Sequence, residues 1–200
     1  MRASTRRELV HGPAGRIECA VDQPESTRRG VALIAHPHPL YGGTLDNKVV
    51  QTLARSFLEL GYETWRPNFR GVGETEGVHD EGRGELEDLH AVLTHLNVQK
   101  PVLAGFSFGA AVQARLAERV TPERMVLVGV GVTRLQAPKV PADTLVIHGE
   151  NDDTVPLAAV LEWARPQNLP IVVIPGGEHF FHGRLNLLSD LIVRHFRPGA

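Results

Sequence analysis

The chain has 200 residues, of which 42% are hydrophobic and 22% are charged. This balance is typical of a globular protein and excludes a disordered or fibrous chain. The 21 basic residues are scattered among 23 acidic ones, and the formal net charge is -2, so we expect no nucleic-acid partner. The length predicts a single domain spanning residues 1–200.

Cys19 is the single cysteine, which excludes an internal disulfide and a multi-cysteine zinc site. No apolar segment follows the basic residues of Met1–Val10, so this end does not read as a secretory signal. The longest apolar stretch, Met125–Val132, is far shorter than the roughly 18 residues needed to cross a bilayer. We therefore expect a cytoplasmic protein without a membrane partner.

Short runs rich in β-branched residues recur along the chain, with helix-length segments between them. Glu8–Val10 and Arg16–Val21 flank a turn-forming segment, 12–15, and predict an antiparallel hairpin at a sheet edge. Six later runs predict strands at Val31–Ala35, Tyr62–Trp65, Val102–Ala104, Met125–Val130, Thr144–Ile147 and Ile171–Ile174. These runs lack in/out alternation, as expected for strands buried on both faces of a parallel sheet.

Amphipathic periodicity predicts helices between these strands, at Asn47–Leu60, Leu86–Leu96, Ala110–Arg119 and Leu185–Phe196. Alternating strands and helices predict an α/β fold, with a mostly parallel eight-stranded sheet and helices on both faces. Ligands of such sheets bind beyond the carboxyl ends of the strands, so polar residues just past each strand are the candidates for function.

The segment Gly105-Phe106-Ser107-Phe108-Gly109 joins a predicted strand to a predicted helix. A nucleophile on a sharp strand-to-helix turn needs very small residues two positions away on either side, and Gly105 and Gly109 meet this need. Ser107 is therefore the candidate nucleophile. The alternative interpretation is a glycine-rich connector without chemistry.

A serine nucleophile needs a base within hydrogen-bond reach and an acid that orients the base. Asp152 and Asp153 follow one predicted strand, and His179 follows the glycine turn after the next. His182 and His195 lie in or near the last predicted helix and are weaker candidates for the base. The chain order Ser, Asp, His is the order of an α/β-hydrolase triad.

With these motifs the sequence, from about Arg16 to Phe196, resembles the α/β-hydrolase superfamily. It is similar to small, lid-poor serine esterases of the dienelactone-hydrolase-like kind. The segment 68–77, NFRGVGETEG, is similar to the family's Arg-Gly-x-Gly-x-Ser-x-Gly loop, with Thr75 in the serine position. Dienelactone hydrolases proper use a cysteine, so Ser107 implies a serine esterase. In the family pattern Asp-x-x-Val-Pro the acid stands three residues before the valine, which selects Asp152 over Asp153.

An oxyanion hole needs N–H donors aimed at the charge that develops on the carbonyl oxygen. We expect one donor to be the backbone N–H of Phe108. The loop 36–44 should supply the second, and because prolines have no N–H the candidates are His38, Leu40 and Tyr41. His38 is favoured, with Leu40 next. Thr44 is expected to be the N-cap of the helix that follows.

Only thirteen residues, 131–143, separate the sixth and seventh predicted strands, too few for a helical cap domain. We therefore expect an open site for small ester substrates with small or exposed acyl groups. Six side chains are expected to border it: Leu40, Tyr41, Phe106, Phe108, Phe180 and Phe181.

No metal or cofactor is expected, because the His36-x-His38 pattern lacks a carboxylate two residues on. The expected activity is that of a serine esterase. Thioester or peptide hydrolysis with the same triad is an alternative, and so is a non-catalytic binding protein on the same fold. The sequence does not determine the physiological substrate or the oligomeric state.

Overall fold

The computed structural model describes residues 5–197, whose strands form one eight-stranded sheet. The strands are β1 (Arg6–Gly12), β2 (Gly15–Asp22), β3 (Gly30–Ala35), β4 (Tyr62–Pro67), β5 (Val102–Phe106), β6 (Arg124–Val128), β7 (Leu145–Gly149) and β8 (Ile171–Ile174). Their order across the sheet is β1-β2-β4-β3-β5-β6-β7-β8. β2 is antiparallel to both neighbours, and the pairs from β4 to β8 are parallel. The predicted mostly parallel sheet is confirmed.

The α-helices of the described residues are α1 (Lys48–Glu59), α2 (Arg83–Leu96), α3 (Phe108–Leu116), α4 (Leu157–Ala164) and α5 (Leu185–Phe196). One-turn 3-10 helices cover Pro39–Tyr41 and Arg165–Gln167. The helices cover both faces of the sheet, with α1 and α5 on one face and α2, α3 and α4 on the other. Consecutive strand residues alternate between the two apolar layers, so that Leu33 packs in one layer and Ile34 in the other.

The N-terminus of α1 differs from the prediction. Asn47 is the N-cap, and its side-chain oxygen accepts the N–H groups of Val49 at 2.9 Å and Val50 at 3.4 Å. Thr44 accepts the N–H of Asp46 at 3.2 Å in the preceding turn, so the prediction of Thr44 as N-cap is wrong. The physical reason is that Thr44–Asn47 forms a separate turn before the helix, closed by the bond from the Asn47 N–H to the Thr44 carbonyl.

Helix α4 has no counterpart among the predicted helices. Only Val160 and Ala164 of its eight residues are fully buried, so its apolar periodicity covers barely more than one turn. A pattern this short is difficult to distinguish from a loop in the sequence. β6 also ends two residues earlier than predicted, because the chain turns away from the sheet at Gly129, where φ is 53°.

The connection between β6 and β7 contains no helix, so within residues 5–197 this connection carries no cap domain. This confirms the expected lack of a cap. Within residues 5–197, no helix is both long enough and apolar enough to cross a membrane. The carboxyl ends of β3, β5, β7 and β8 lie at the same edge of the sheet because these strands are parallel, which brings the loops that follow them together.

Candidate active site

Ser107 lies at the sharp turn between β5 and α3, with φ 56° and ψ -117°. For a residue other than glycine, a backbone in this region costs about 1–3 kcal/mol. The flanking glycines allow the turn: a Cβ on Gly105 would lie 2.7 Å from the backbone of Gly109, and a Cβ on Gly109 would lie 2.4 Å from the carbonyl oxygen of His36. The close packing at Gly105 and Gly109 therefore keeps Ser107 in this strained turn, at the end of β5.

A row of hydrogen bonds joins Ser107, His179 and Asp152. His179 Nε2 lies 3.0 Å from Ser107 Oγ, and His179 Nδ1 lies 2.7 Å from Asp152 Oδ2. An ionised carboxylate only accepts hydrogen bonds, so Nδ1 carries the proton of a neutral imidazole and Nε2 is free to accept one from the serine hydroxyl. All three side chains are buried. This is the arrangement in which a serine hydroxyl can be deprotonated as it attacks.

Asp152 is held by the backbone that follows it. Its Oδ1 accepts the N–H of Val155 at 2.7 Å and the N–H of Thr154 at 3.0 Å. Burial alone would raise the pKa of Asp152, but the hydrogen bonds from His179 and Val155 outweigh burial and lower it below its ordinary value. Asp153 is exposed and contacts the Thr154 hydroxyl at 3.3 Å. The carboxylate beside the imidazole is therefore that of Asp152.

Close packing of two glycine-containing loops brings the aspartate and the histidine together. A Cβ on Gly149 would lie 2.5 Å from the carbonyl oxygen of Gly177, and the N–H of Asn151 donates to that same oxygen at 2.8 Å. The imidazole of His179 packs on the ring of Phe106, with centroids 4.9 Å apart. The imidazole of His179 is thus held both by packing on Phe106 and by its hydrogen bonds to Asp152 and Ser107.

Two backbone N–H groups beside Ser107 remain available to a ligand. Phe108 begins α3, so its N–H has no earlier helical carbonyl to bond. In the preceding loop the N–H of Leu40 donates to Nδ1 of His38 at 3.3 Å, and that of Tyr41 donates to the carbonyl of His38 at 3.1 Å. Of the three candidates in that loop, only His38 has an N–H that donates to no other described residue. Phe108 and His38 therefore stay the candidates for an oxyanion hole.

His36 fastens the loop that carries His38, a role that was not predicted. Its Nε2 accepts the N–H of Phe69 at 2.9 Å, so the proton is on Nδ1, which donates to the carbonyl of Pro37 at 2.6 Å. The ring is fully buried. Within residues 5–197 no group of three or more His, Cys, Asp or Glu side chains is placed to hold a metal ion.

Acid should destabilise the protein partly through His36. Burial lowers the pKa of its imidazole from 6.5 to about 4. Between these values the unfolded chain binds a proton that the folded chain excludes, so stability falls as the pH is lowered through this window. The full loss from this one group corresponds to roughly 3 kcal/mol of unfolding free energy. We expect urea denaturation at pH 7 and pH 4.5 to show most of this decline.

The variant His36→Asn is the matched test, because it removes the titrating group. It should be less stable than the wild type at pH 7, since two buried hydrogen bonds are lost, but its stability should fall less between pH 7 and pH 4.5. An equally steep fall in the variant would show that His36 does not cause it. The pKa of His148 is also lowered by burial, and the loss it contributes should remain in both proteins.

Two clefts share Ser107 in their lining, with volumes of about 90 Å³ and about 290 Å³. The first is lined on its own side by Phe108, Gly131, Thr133, Leu135 and Val155. The second is lined on its own side by Pro37, Gly42, Gly43, Asn47, His179 and Phe180. Both share His38, Tyr41, Ser107, Arg134 and Thr154. The smaller cleft thus lies beside Phe108 and the larger one beside His179.

The structure divides the six side chains that were expected to border the site. Tyr41, Phe108 and Phe180 line the clefts. Phe106 and Phe181 are fully buried, so their prediction as bordering residues is wrong. Phe106 ends β5 and its ring packs under His179 in the core, where substrate cannot reach it.

Leu40 is 69% exposed but lines neither cleft. Arg134 is a lining residue that the sequence analysis missed, because it stands in an irregular loop without a motif.

Comparison with known proteins agrees with this geometry. A family model described as alpha/beta hydrolase fold matches residues 40–130. An α/β serine hydrolase homologue from Coxiella burnetii is 37% identical, with a TM-score of 0.87 over 98% of this chain and 99% of that one. The chain belongs to the α/β-hydrolase family. The resemblance that the motifs indicated is therefore confirmed.

Two further relatives of this α/β-hydrolase are similar over nearly their whole length. An α/β serine hydrolase without a lid from Xanthomonas campestris is 34% identical, with a TM-score of 0.92 over 100% of this chain and 98% of that one. An uncharacterized protein of Rickettsia prowazekii is 34% identical over 203 residues, which cover 91% of this chain and 84% of that protein. The family and the fold together make the chain an α/β serine hydrolase.

Proposed function

We propose that this hydrolase is a serine esterase that cleaves small carboxylic esters through an acyl-enzyme on Ser107. One observation carries the proposal: the row of hydrogen bonds from Asp152 through His179 ends at Ser107, which lines both clefts. A serine becomes a nucleophile only when a base can take its proton, and the imidazole is placed to do so.

The chemistry follows in two steps. Ser107 Oγ attacks the ester carbonyl carbon while its proton passes to Nε2 of His179. The N–H groups of Phe108 and His38 donate to the oxyanion that forms. The bond to the alcohol oxygen then breaks, and His179 returns the proton to that oxygen. Water attacks the acyl-enzyme in the same way, His179 taking its proton, and the acid leaves as Ser107 regains its hydrogen.

The position of His179 supports one arrangement of the ester in the two clefts. The leaving alcohol must receive its proton from Nε2, so it lies on the side of His179 and Phe180, in the larger cleft. The acyl group then occupies the smaller cleft, beside Phe108 and Leu135. Because the smaller cleft is only about 90 Å³, we expect short acyl chains to be preferred. Butyrate or acetate esters should be hydrolysed faster than long-chain esters.

A fluorophosphonate probe tests the chemistry directly, because it reacts covalently with an activated serine. We expect labelling of the peptide that contains Ser107, identified by mass spectrometry, and hydrolysis of acetate and butyrate esters in a panel that includes thioesters of equal acyl length. Folded protein that takes up no label would contradict a catalytic role for the site. Labelled protein that cleaves only the thioesters would keep the nucleophile but overturn the assignment as an esterase.

A further inference from the structure

Arg134 is a charged residue that lines both clefts together with Ser107, so its side chain is a candidate for binding substrate. Its Nη1 donates to the hydroxyl of Tyr41 at 2.8 Å, and its guanidinium carbon lies 4.7 Å from the centre of that ring. The guanidinium is therefore held over the mouth of the site by a neutral partner. A guanidinium has five N–H donors, and this contact uses one of them.

The positive charge of Arg134 has no carboxylate partner in the described part of the chain. Other arginines differ: Arg66 pairs with Asp22 at 2.9 Å, and Arg70 pairs with Asp88 at 2.8 Å. The charge of Arg134 also acts on His38, which lines both clefts. The pKa of His38 is lowered first by burial, then by His79 and then by Arg134. Glu81 and Glu85 raise it, but more weakly. The rim of the clefts thus presents an unpaired cation.

We infer that Arg134 selects substrates whose acyl chain carries a carboxylate, so that the preferred esters are monoesters of short dicarboxylic acids. The inference rests on the proposed esterase function and adds a substrate class to it. A planar guanidinium binds a carboxylate with two parallel hydrogen bonds, which fixes both position and orientation. The acyl side is chosen because Thr133 and Leu135, on either side of Arg134 in the chain, line the smaller cleft, and His179 does not line it.

The expected effect is moderate, because Arg134 is exposed and water screens its charge. The test compares the ethyl monoester of glutaric acid with the ethyl ester of glutaramic acid, which has the same length and an uncharged amide. We expect kcat/KM for the charged ester to exceed that for the amide by about three- to tenfold at low salt. This ratio should decline as sodium chloride is added.

Four variants separate charge from structure. Arg134→Gln should bring the ratio close to one, and Arg134→Lys should keep part of it because the positive charge remains. Tyr41→Phe removes the hydroxyl but keeps the ring under the guanidinium, so the ratio should largely persist. Arg194→Gln removes an exposed arginine in the last turn of α5, outside both clefts, and should change neither the ratio nor the rates.

An unchanged ratio in Arg134→Gln, or a ratio near one in the wild type, would overturn the inference while leaving the esterase function intact. Loss of the ratio in Tyr41→Phe while Arg134→Gln keeps it would show that the Tyr41 hydroxyl, and not the guanidinium, selects the carboxylate, which also overturns the inference. Loss in both variants would mean that the Tyr41 hydroxyl positions the guanidinium, which supports it. Failure of the proposed function looks different, since the wild type would then hydrolyse neither ester and would not react with the fluorophosphonate.

Discussion

Ser107→Ala is expected to lower kcat for ester hydrolysis by about 10⁵- to 10⁶-fold, the scale on which removal of a serine nucleophile acts in triad enzymes. The reason is that no acyl-enzyme can form without Oγ, while the imidazole and its aspartate remain in place beside an inert methyl group. The rate is measured by continuous assay with a chromogenic butyrate ester, and fluorophosphonate labelling should disappear in the same variant.

The fold should survive this substitution. Alanine carries the same Cβ as serine, so the strained φ of 56° at the turn is as costly for one as for the other, and the main loss is the 3.0 Å bond to His179. Thermal unfolding should shift by only a few degrees. Ser26→Ala is the control, because Ser26 is an exposed serine outside both clefts and should keep full activity. Ester turnover in Ser107→Ala within tenfold of wild type would place the nucleophile elsewhere.

Asp152→Asn is expected to lower kcat by about 10⁴-fold, as the corresponding change does in other triads. An amide in contact with Nδ1 of His179 can donate a hydrogen bond, which favours the imidazole tautomer with its proton on Nε2. That tautomer cannot accept the serine proton. The amide also lacks the negative charge that stabilises the imidazolium formed during attack.

Asp153→Asn is the matched control one residue along, since this carboxylate is exposed and accepts a hydrogen bond from the hydroxyl of the neighbouring Thr154. We expect its kcat to stay within about twofold of wild type, the small change usual for a surface substitution. Measurements of kcat for both variants from pH 6 to pH 9 give the comparison. Equal losses in the two variants, or a mild effect of Asp152→Asn alone, would contradict the role given to Asp152.

Much of the architecture was predictable because its signals are local. The buried strands are continuous apolar runs, and the periodicity of α1 and α5 reflects one buried face on each helix. The turn at Ser107 was also predictable, because steric crowding there excludes any residue but glycine at Gly105 and Gly109. Where the local signal was weak the prediction failed: α4 buries only two residues fully, and the turn before α1 gave Thr44 the appearance of a cap.

The sequence by itself determined the eight-stranded α/β order and placed a serine, an aspartate and a histidine just past three of its strands. Only the tertiary structure decided which atoms meet. It set Nδ1 of His179 against Oδ2 of Asp152 and Nε2 against Oγ of Ser107, buried Phe106 beneath the imidazole, and brought Arg134 to the clefts. Periodicity and steric demand act between neighbours in the chain, whereas these contacts depend on how separate loops pack at one sheet edge, and no local pattern encodes that packing.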